Sequence, residues 1–105
     1  MFERFWTRND ADANGKFTTW CNENPNGYVF NFFKGTDKQN EMNIIHRVTC
    51  SRLHARGTKA RYEKVCSNNL QALDGFADEY RGIERWRHCL GSDCFPEENK
   101  NNGGL

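Results

Sequence analysis

Hydrophobic residues in the first third of the chain follow a helical period and then, directly after it, a strand pattern. Phe17, Trp20 and Cys21 are spaced i, i+3, i+4, which places three apolar side chains on one face of a helix. Residues 24–27 (Asn-Pro-Asn-Gly) end this helix in a turn. Residues 28–33 (Tyr-Val-Phe-Asn-Phe-Phe) form an aromatic run bounded by glycines, which predicts the strongest strand of the chain.

Two further strands are indicated between residues 42 and 66. After a polar connection at residues 36–41, residues 42–48 predict a strand that pairs with the first one as a hairpin. Residues 51–60 are basic and contain Gly57, which favours a loop. Residues 61–66 alternate in the manner of a third strand.

The most regular helical pattern lies at residues 70–80. The run Ser67-Asn68-Asn69 offers an N-cap before it, and Gly82 offers a C-cap after it. The predicted fold is therefore α+β, with a small antiparallel or mixed sheet of three or slightly more strands and two helices. The apolar residues at helical spacing are Leu70, Leu73, Phe76, Ala77 and Tyr80.

The composition indicates one small domain with a thin core. Only 36% of the 105 residues are hydrophobic, and the 13% of aromatic residues compensate in part because each buried ring removes a large area from water. A chain of this kind often needs disulfides or a metal ion for stability. We interpret residues 1–16 as an N-terminal arm or lead-in, residues 17–95 as the domain, and residues 96–105 as a disordered tail.

Five cysteines suggest such a stabilising element, and their context favours a metal ion over disulfides. The N-terminal segment has no apolar stretch typical of a secretory signal, so we expect a cytoplasmic protein with reduced thiols. An odd number of cysteines in a reducing compartment also favours metal binding. No run of about 18 apolar residues is present, so we expect no membrane partner.

The candidate metal ligands are His46, Cys50, Cys89 and Cys94. His46 and Cys50 lie four residues apart at the end of the second strand, and Cys89 and Cys94 enclose a loop in which Gly91 helps the turn. Imidazole and thiolate are the ligands that zinc prefers in closed tetrahedral sites. We therefore predict that one zinc ion bound by these four residues stabilises the domain.

Other interpretations of the same residue types remain open at this point. Cys66 could replace one ligand, or His88 could replace His46, and a metal-free core with reduced thiols is the simplest alternative. Cys21 is far from the other thiols and is interpreted as a core residue. A nucleophilic pair of Cys50 with His46 or His54 is conceivable, but no oxyanion-hole motif accompanies it.

Basic residues concentrate between residues 47 and 64, where six basic side chains stand against one acidic residue, Glu63, although the whole chain carries a net charge of only +1. Such a segment beside a metal loop is typical of a polyanion contact, whereas a solvated loop is the plain alternative. The candidate nucleic-acid contacts are Arg47, Arg52, Arg56, Lys59 and Arg61.

The run from Ile45 to Arg52 (Ile-His-Arg-Val-Thr-Cys-Ser-Arg), the following helix and the late cysteine pair resemble the metal-binding domain of the Ada DNA-repair protein. They also resemble small zinc modules found beside HNH nucleases. Companion segments of such modules are similar to three other parts of this chain: the upstream Phe-x2-Trp, the segment Asn-Pro-Asn-Gly-Tyr-Val-Phe-Asn and the run Val65-Cys66-Ser67. The likeness covers roughly residues 17–95 and implies an α+β domain.

The resemblance implies that Cys50, Cys89 and Cys94 are zinc ligands. At the position of His46 the Ada domain has a cysteine that accepts a methyl group from DNA phosphotriesters. Histidine at this position, as in the nuclease-associated modules, argues against methyl transfer. The terminal cysteine pair is also wider than the two-residue gap usual in that family.

We expect a non-catalytic, zinc-stabilised module that binds nucleic acid, DNA rather than RNA, through the basic segment next to the metal site. No hydrolase signature such as His-Glu-x-x-His is present, so no enzymatic activity is expected. The alternative is a small protein-interaction module with a structural zinc, for example a phage or mobile-element regulator of a host protein. Its anchors would be the aromatic residues Phe2, Phe5, Trp6 and Trp86.

Overall fold

Five strands form one mixed sheet in a computed structural model, which describes residues 2–35, 39–55 and 61–96. The order across the sheet is β1-β4-β2-β3-β5, and all neighbours pair antiparallel except β3 and β5, which are parallel. The strands are β1 (Glu3–Phe5), β2 (Tyr28–Phe33), β3 (Ile44–Arg47), β4 (Tyr62–Ser67) and β5 (Arg87–His88).

Two long helices cover opposite faces of this sheet. The helical segments are α1 (Ala13–Glu23), α2 (Gln39–Met42), α3 (Ser51–Ala55) and α4 (Leu70–Tyr80). On one face, the ring of Phe76 in α4 lies edge-on against Phe32 of β2, with centroids 5.6 Å apart. On the other face, Phe17 of α1 lies 6.1 Å from Phe5 of β1. The core therefore consists of two layers of side chains, one on each side of β2 and β4.

The predicted α+β class is confirmed, and several elements agree closely with their prediction. Residues 28–33 form β2, which pairs with β3 as the expected hairpin, with Phe30 opposite Ile45. Helix α4 spans residues 70–80, and the side chain of Asn69 caps it by accepting a hydrogen bond from the amide of Ala72 at 3.1 Å. Gly82 follows with a positive φ of 106°, a conformation that suits glycine at a helix C-terminus.

The prediction of a loop over residues 51–60 is wrong for its first half, because residues 51–55 form α3. Residues 56–60 lie outside the described residues. The polar connection at residues 36–41 contributes its last residues to α2, and the second predicted strand begins at Ile44 instead of Met42.

Strands β1 and β5, at the two ends of the sheet order, are not predicted from the sequence. Within the segment interpreted as an arm or lead-in, residues 3–5 pair with β4, and α1 begins at residue 13. Arg4 forms two hydrogen bonds to the carboxylate of Glu63, one of them at 2.8 Å from its terminal nitrogen. The expected disordered tail lies outside the described residues except for Pro96.

Polar side chains within the core are paired. Burial raises the pKa of Glu63, but hydrogen bonds from Arg4 and Lys34 outweigh this effect and hold the pKa below its ordinary value. Asn43 is fully buried and its side-chain oxygen accepts a hydrogen bond from the amide of Phe33 at 2.8 Å, which ties the start of β3 to the end of β2. Among the described residues, no helix combines the length and the apolar character that a membrane crossing requires.

Candidate metal centre

Four side chains that are distant in sequence meet at one end of the sheet. His46 lies near the end of β3, and Cys50 follows a tight turn and immediately precedes α3. Cys89 comes directly after β5, and Cys94 closes the loop that follows it. All four are at least 95% buried, and their ligand atoms lie within 4.8 Å of one another. This cluster could hold a metal ion.

The donor atoms point towards a common centre. The Nδ1 atom of His46 lies 3.4 Å from the sulfur of Cys50 and 4.0 Å from the sulfur of Cys94. The sulfurs of Cys50 and Cys89 are 3.9 Å apart. A disulfide requires a sulfur–sulfur distance of about 2.0 Å, so these cysteines are free thiols at the spacing of metal ligands.

Backbone amides surround the three sulfurs. The amide of Arg47 donates to the sulfur of Cys94 at 3.2 Å, and the amide of Gly91 donates to the sulfur of Cys89 at 3.4 Å. Cys50 accepts from backbone N–H groups in the first turn of α3. Such donors stabilise sulfur that carries negative charge, so the surroundings of the three cysteines favour thiolates bound to a cation.

Burial is the main influence on the protonation of His46, Cys50 and Cys94. Burial, reinforced by the positive charge of Lys64, lowers the pKa of His46 to about 4, so the imidazole is neutral at pH 7 and has a lone pair for a metal ion. Burial also raises the pKa of the thiols of Cys50 and Cys94, although their backbone donors act in the opposite direction. A bound cation would replace these thiol protons.

Asp93 connects the two halves of the cluster. Its carboxylate accepts a hydrogen bond from the amide of Ser51 at 2.9 Å and lies 3.8 Å from the sulfur of Cys50. The bond from Ser51 lowers the pKa of Asp93, so this side chain is a carboxylate at neutral pH. Asp93 thus holds the 89–94 loop against the start of α3.

The guanidinium of Arg47 contacts other residues of the protein, which is not expected of a residue that contacts phosphates. Its Nε atom donates to the carbonyl of Cys94 at 2.6 Å, and a terminal nitrogen donates to the hydroxyl of Tyr28 at 3.3 Å. The guanidinium also lies 4.8 Å from the ring centroid of Phe95. Arg47 is therefore half-buried and holds the backbone of Cys94 beside the end of β3.

The other candidate ligands lie elsewhere. Cys66 is in β4, paired with Val29, and belongs to the hydrophobic core together with Cys21, as expected for Cys21. His88 hydrogen-bonds to Asp74 at 2.8 Å and stacks on Phe95. His54 donates from Nε2 to the carbonyl of Val48, also at 2.8 Å. In the described residues, none of these four side chains joins the group of four potential ligands.

The remaining basic candidates are partly described. Arg52 and Arg61 are exposed, and the guanidinium of Arg61 lies 5.1 Å from the ring centroid of Phe33. Arg56 and Lys59 lie outside the described residues. Lys64, which contributes to the positive charge of the segment, is only 3% exposed and therefore faces the core instead of solvent.

The aromatic residues assigned to the alternative, protein-binding role are not free surface anchors. Phe2 packs edge-on against Phe76 with centroids 5.3 Å apart, and Phe5 packs against Phe17. The indole N–H of Trp86 donates to Asp78 at 2.7 Å. These side chains and Trp6 are half-buried.

Sequence reasoning missed the roles of Asp93 and Arg47 in the cluster. The position of Asp93 directly before Cys94 is a signal in retrospect, because a short polar side chain in a ligand loop often bonds to nearby backbone. Arg47 carried no such signal, since a basic residue in a basic segment indicates solvent exposure.

Comparison of this chain with known proteins finds no matching family model, no matching curated protein and no matching solved structure.

Proposed function

We propose that the protein is a non-catalytic module whose fold is stabilised by one zinc ion bound to His46, Cys50, Cys89 and Cys94. The observation that carries this proposal is the convergence of four buried donors from two distant parts of the chain. One imidazole and three thiolates form a ligand set that is typical of structural zinc. Harder cations such as Mg²⁺ and Ca²⁺ prefer oxygen ligands and fit this set poorly.

Three of the separations between the donors fit zinc as the ion, and all six lie within 4.8 Å. With Zn–S bonds of about 2.3 Å and a Zn–N bond of about 2.0–2.1 Å, tetrahedral geometry places two sulfurs about 3.8 Å apart and a sulfur about 3.6 Å from a nitrogen. The separation of 3.9 Å between the sulfurs of Cys50 and Cys89 matches the first value. The separations of 3.4 and 4.0 Å from Nδ1 of His46 lie on either side of the second.

A closed site of this kind has a structural role. Four protein donors complete the tetrahedron, so no coordination position remains for a water molecule or a substrate. The donors are also buried, which separates the ion from solvent. The ion would fasten the turn after β3 to the loop after β5 and thereby stabilise one end of the sheet.

Arg47 is expected to support zinc binding. Replacing Arg47 with alanine removes the hydrogen bond to the carbonyl of Cys94, and we expect zinc affinity to fall by roughly tenfold, as is usual when a residue that orients a ligand is lost. Competition with a colorimetric chelator measures this affinity. Arg85→Ala is the control, because Arg85 is exposed in the turn after α4. Equal zinc affinity for the two variants would show that Arg47 does not position the site.

We further propose that the module binds nucleic acid, with DNA as the preferred form, through the basic segment that follows the site. The support is the charge of residues 47–64 and the exposure of Arg52 and Arg61 in its described part. Contacts of this type neutralise phosphates and provide affinity with little sequence preference. Arg47 is omitted from this surface because its guanidinium is engaged inside the protein.

Binding to a fluorescent double-stranded oligonucleotide tests this function. The Arg52→Gln, Arg61→Gln double variant is expected to bind several-fold more weakly than the unsubstituted protein at about 50 mM salt. The slope of log affinity against log salt concentration should also be shallower, because each neutralised phosphate contributes to it. The difference should correspond to at most about two phosphate contacts. Fluorescence anisotropy over a salt series gives both quantities.

The control for this experiment is an Arg8→Gln, Arg85→Gln variant, which removes the same charge from two exposed positions outside the basic segment. A weakening equal to that of the first variant would indicate a response to overall charge alone. Absence of binding to the unsubstituted protein at low salt would refute the nucleic-acid function, while leaving the zinc site untouched.

A further inference from the structure

Strand β1 lies at the end of the sheet and has one neighbouring strand, β4, among the described residues. In an antiparallel pair, successive residues point their backbone N–H and C=O groups alternately towards and away from the neighbouring strand. Within residues 3–5, alternate residues therefore present their backbone N–H and C=O groups along the outer edge of β1. An open edge of this kind can accept a further strand from another chain.

Two grooves flank this edge. One, of about 570 Å³, lies between β1 and α1, and its lining includes Glu3, Phe5 and Trp20. The other, of about 520 Å³, has Arg4 and Trp6 in its lining. Side chains of an extended peptide alternate between the two faces of a sheet, so a strand added to β1 would direct them alternately into the two grooves.

The groove between β1 and α1 is acidic. Glu3, Asp12 and Glu23 contribute carboxylates to it, and within the described part of the chain none of the three forms an ion pair. Its one basic residue, Lys16, is paired with Asp10 at 2.6 Å. The groove therefore has an excess of negative charge, together with aromatic surface that attracts cations.

The groove of Arg4 and Trp6 differs in character, although Phe5 and Lys16 line both grooves. Its cations are already paired, because Arg4 and Lys34 bind the carboxylate of Glu63 and Lys16 binds that of Asp10. The ring of Trp6 and the stems of these long side chains provide apolar surface. This groove suits an apolar side chain better than a charged one.

We propose that the open edge of β1 binds an extended peptide of a protein partner, in which basic residues alternate with apolar ones. The peptide would pair with β1 as a sixth strand, with backbone hydrogen bonds supplying affinity and side-chain grooves supplying specificity. Its lysine or arginine side chains would enter the groove of Glu3, Asp12 and Glu23. This binding uses a surface that contains none of the proposed nucleic-acid contacts and none of the four candidate metal ligands.

A short synthetic peptide in which lysine alternates with valine tests the proposal, with the full protein purified in its metal-bound form. We expect this peptide to bind and to shift the amide resonances of residues 3–5 and of α1 in a nuclear magnetic resonance titration. The same peptide with glutamate in place of lysine should bind at least about tenfold more weakly, because its charge repels the groove. N-methylation of alternate backbone amides should also reduce binding about tenfold, since it removes donors from the added strand.

Charge reversal in the protein provides the matched test. The Glu3→Lys, Glu23→Lys variant should prefer the glutamate peptide, whereas a Glu79→Lys, Glu84→Lys control, altered at exposed positions in and after α4, should keep the original preference. The proposal is overturned if the lysine peptide does not bind, if N-methylation has no effect, or if the shifted resonances lie elsewhere. Sedimentation that shows a dimer formed through β1 would also overturn it, because the edge would then be occupied by a second copy.

Discussion

Replacing Cys50 with serine is expected to abolish zinc binding and, with it, the cooperative fold. A serine hydroxyl is a poor zinc ligand, and three remaining donors cannot complete the tetrahedron. Structural zinc contributes roughly 10–16 kcal/mol of apparent free energy in small zinc-dependent peptides. Total stabilities of small domains are about 5–15 kcal/mol, so loss of the ion removes most of what holds this one together.

The architecture around the site explains why the effect should be global. Strand β5 has only two residues, and the loop after it meets the rest of the protein at the cluster, where Arg47 bonds to Cys94 and Asp93 bonds to Ser51. The amide of Cys89 donates to the carbonyl of Ile45 at 2.9 Å. Ile45 pairs with Phe30 of β2, so this hydrogen bond connects the cluster to the centre of the sheet. Without the ion, three buried thiols and an imidazole would be left close together with no cation to hold them in place.

Cys66→Ala and Cys21→Ala are the matched controls, because these thiols are buried outside the cluster. Both variants should retain one zinc ion per chain, with stability lowered by no more than roughly 1–3 kcal/mol through a small loss of packing. Elemental analysis and thermal unfolding followed by circular dichroism measure the two quantities. Addition of a strong chelator to the unsubstituted protein should reproduce the Cys50→Ser result.

Three outcomes would contradict this prediction. Zinc retained at full content in Cys50→Ser would remove Cys50 from the ligand set. Zinc lost equally in Cys66→Ala would point to a different group of ligands. A purified protein without zinc, whose unfolding is unaffected by chelator, would refute the structural role of the metal altogether.

Local sequence patterns were sufficient for the elements whose stability is mostly local. Strand β2 has an aromatic run bounded by glycines, and α4 has a regular apolar face with an asparagine cap, so both were predicted with nearly correct boundaries. The four residues of the cluster were also named from the sequence, because imidazole and thiolate are the ligands that zinc prefers, although Cys66, His88 and a metal-free core remained alternatives. The sequence could only suggest that these residues come together, and the structure shows that they do.

The missed elements depend on partners far away in the chain. Helix α3 has five residues, and the amide of Ser51 at its start is bound by Asp93, which lies in a different loop. Strand β1 is short and polar, and the pairing of Arg4 with Glu63 connects it to the sheet across 59 residues. Contacts between residues so far apart in sequence leave no periodic pattern in it. The contact of Arg47 with Cys94 is also of this kind, so no sequence pattern indicated that Arg47 is engaged inside the protein.

Replacing Lys64 with methionine is expected to stabilise the protein at pH 7 by roughly 3 kcal/mol. Lys64 is only 3% exposed, on the face of the sheet covered by α1. Its ammonium group donates to the side-chain oxygen of Asn31 and lies 5.4 Å from the ring centroid of Phe17, and no described carboxylate forms an ion pair with it. Burial lowers its pKa from 10.5 to about 8, and each pKa unit corresponds to about 1.4 kcal/mol.

The advantage of methionine should depend on pH in a defined direction. Because the pKa of Lys64 is lower in the folded chain than in the unfolded chain, the unfolded chain binds more protons between about pH 8 and 10.5. The contribution of Lys64 to stability therefore rises with pH across this range and is lowest below it. Burial raises the pKa of Cys21 to about 11 and also raises that of Cys66, which has the opposite effect above pH 9. Both thiols are present in the variant, so the part of their titration that burial causes cancels in the difference between the two proteins.

Urea unfolding of Lys64→Met and of the unsubstituted protein between pH 7 and 10 measures this difference, which should be largest at pH 7 and shrink steadily above pH 8. Lys34→Met is the contrasting control, because Lys34 pairs with the buried carboxylate of Glu63 at 2.8 Å and its loss should destabilise the protein. A Lys64→Met variant that is less stable at pH 7 would show that other interactions in the folded protein offset the free-energy cost of burying the ammonium group. One source of such compensation would be the net negative charge of a zinc ion bound to three thiolates, since the charge of Lys64 already acts on the candidate ligand His46, so this substitution also reports on the electrostatic state of the metal centre.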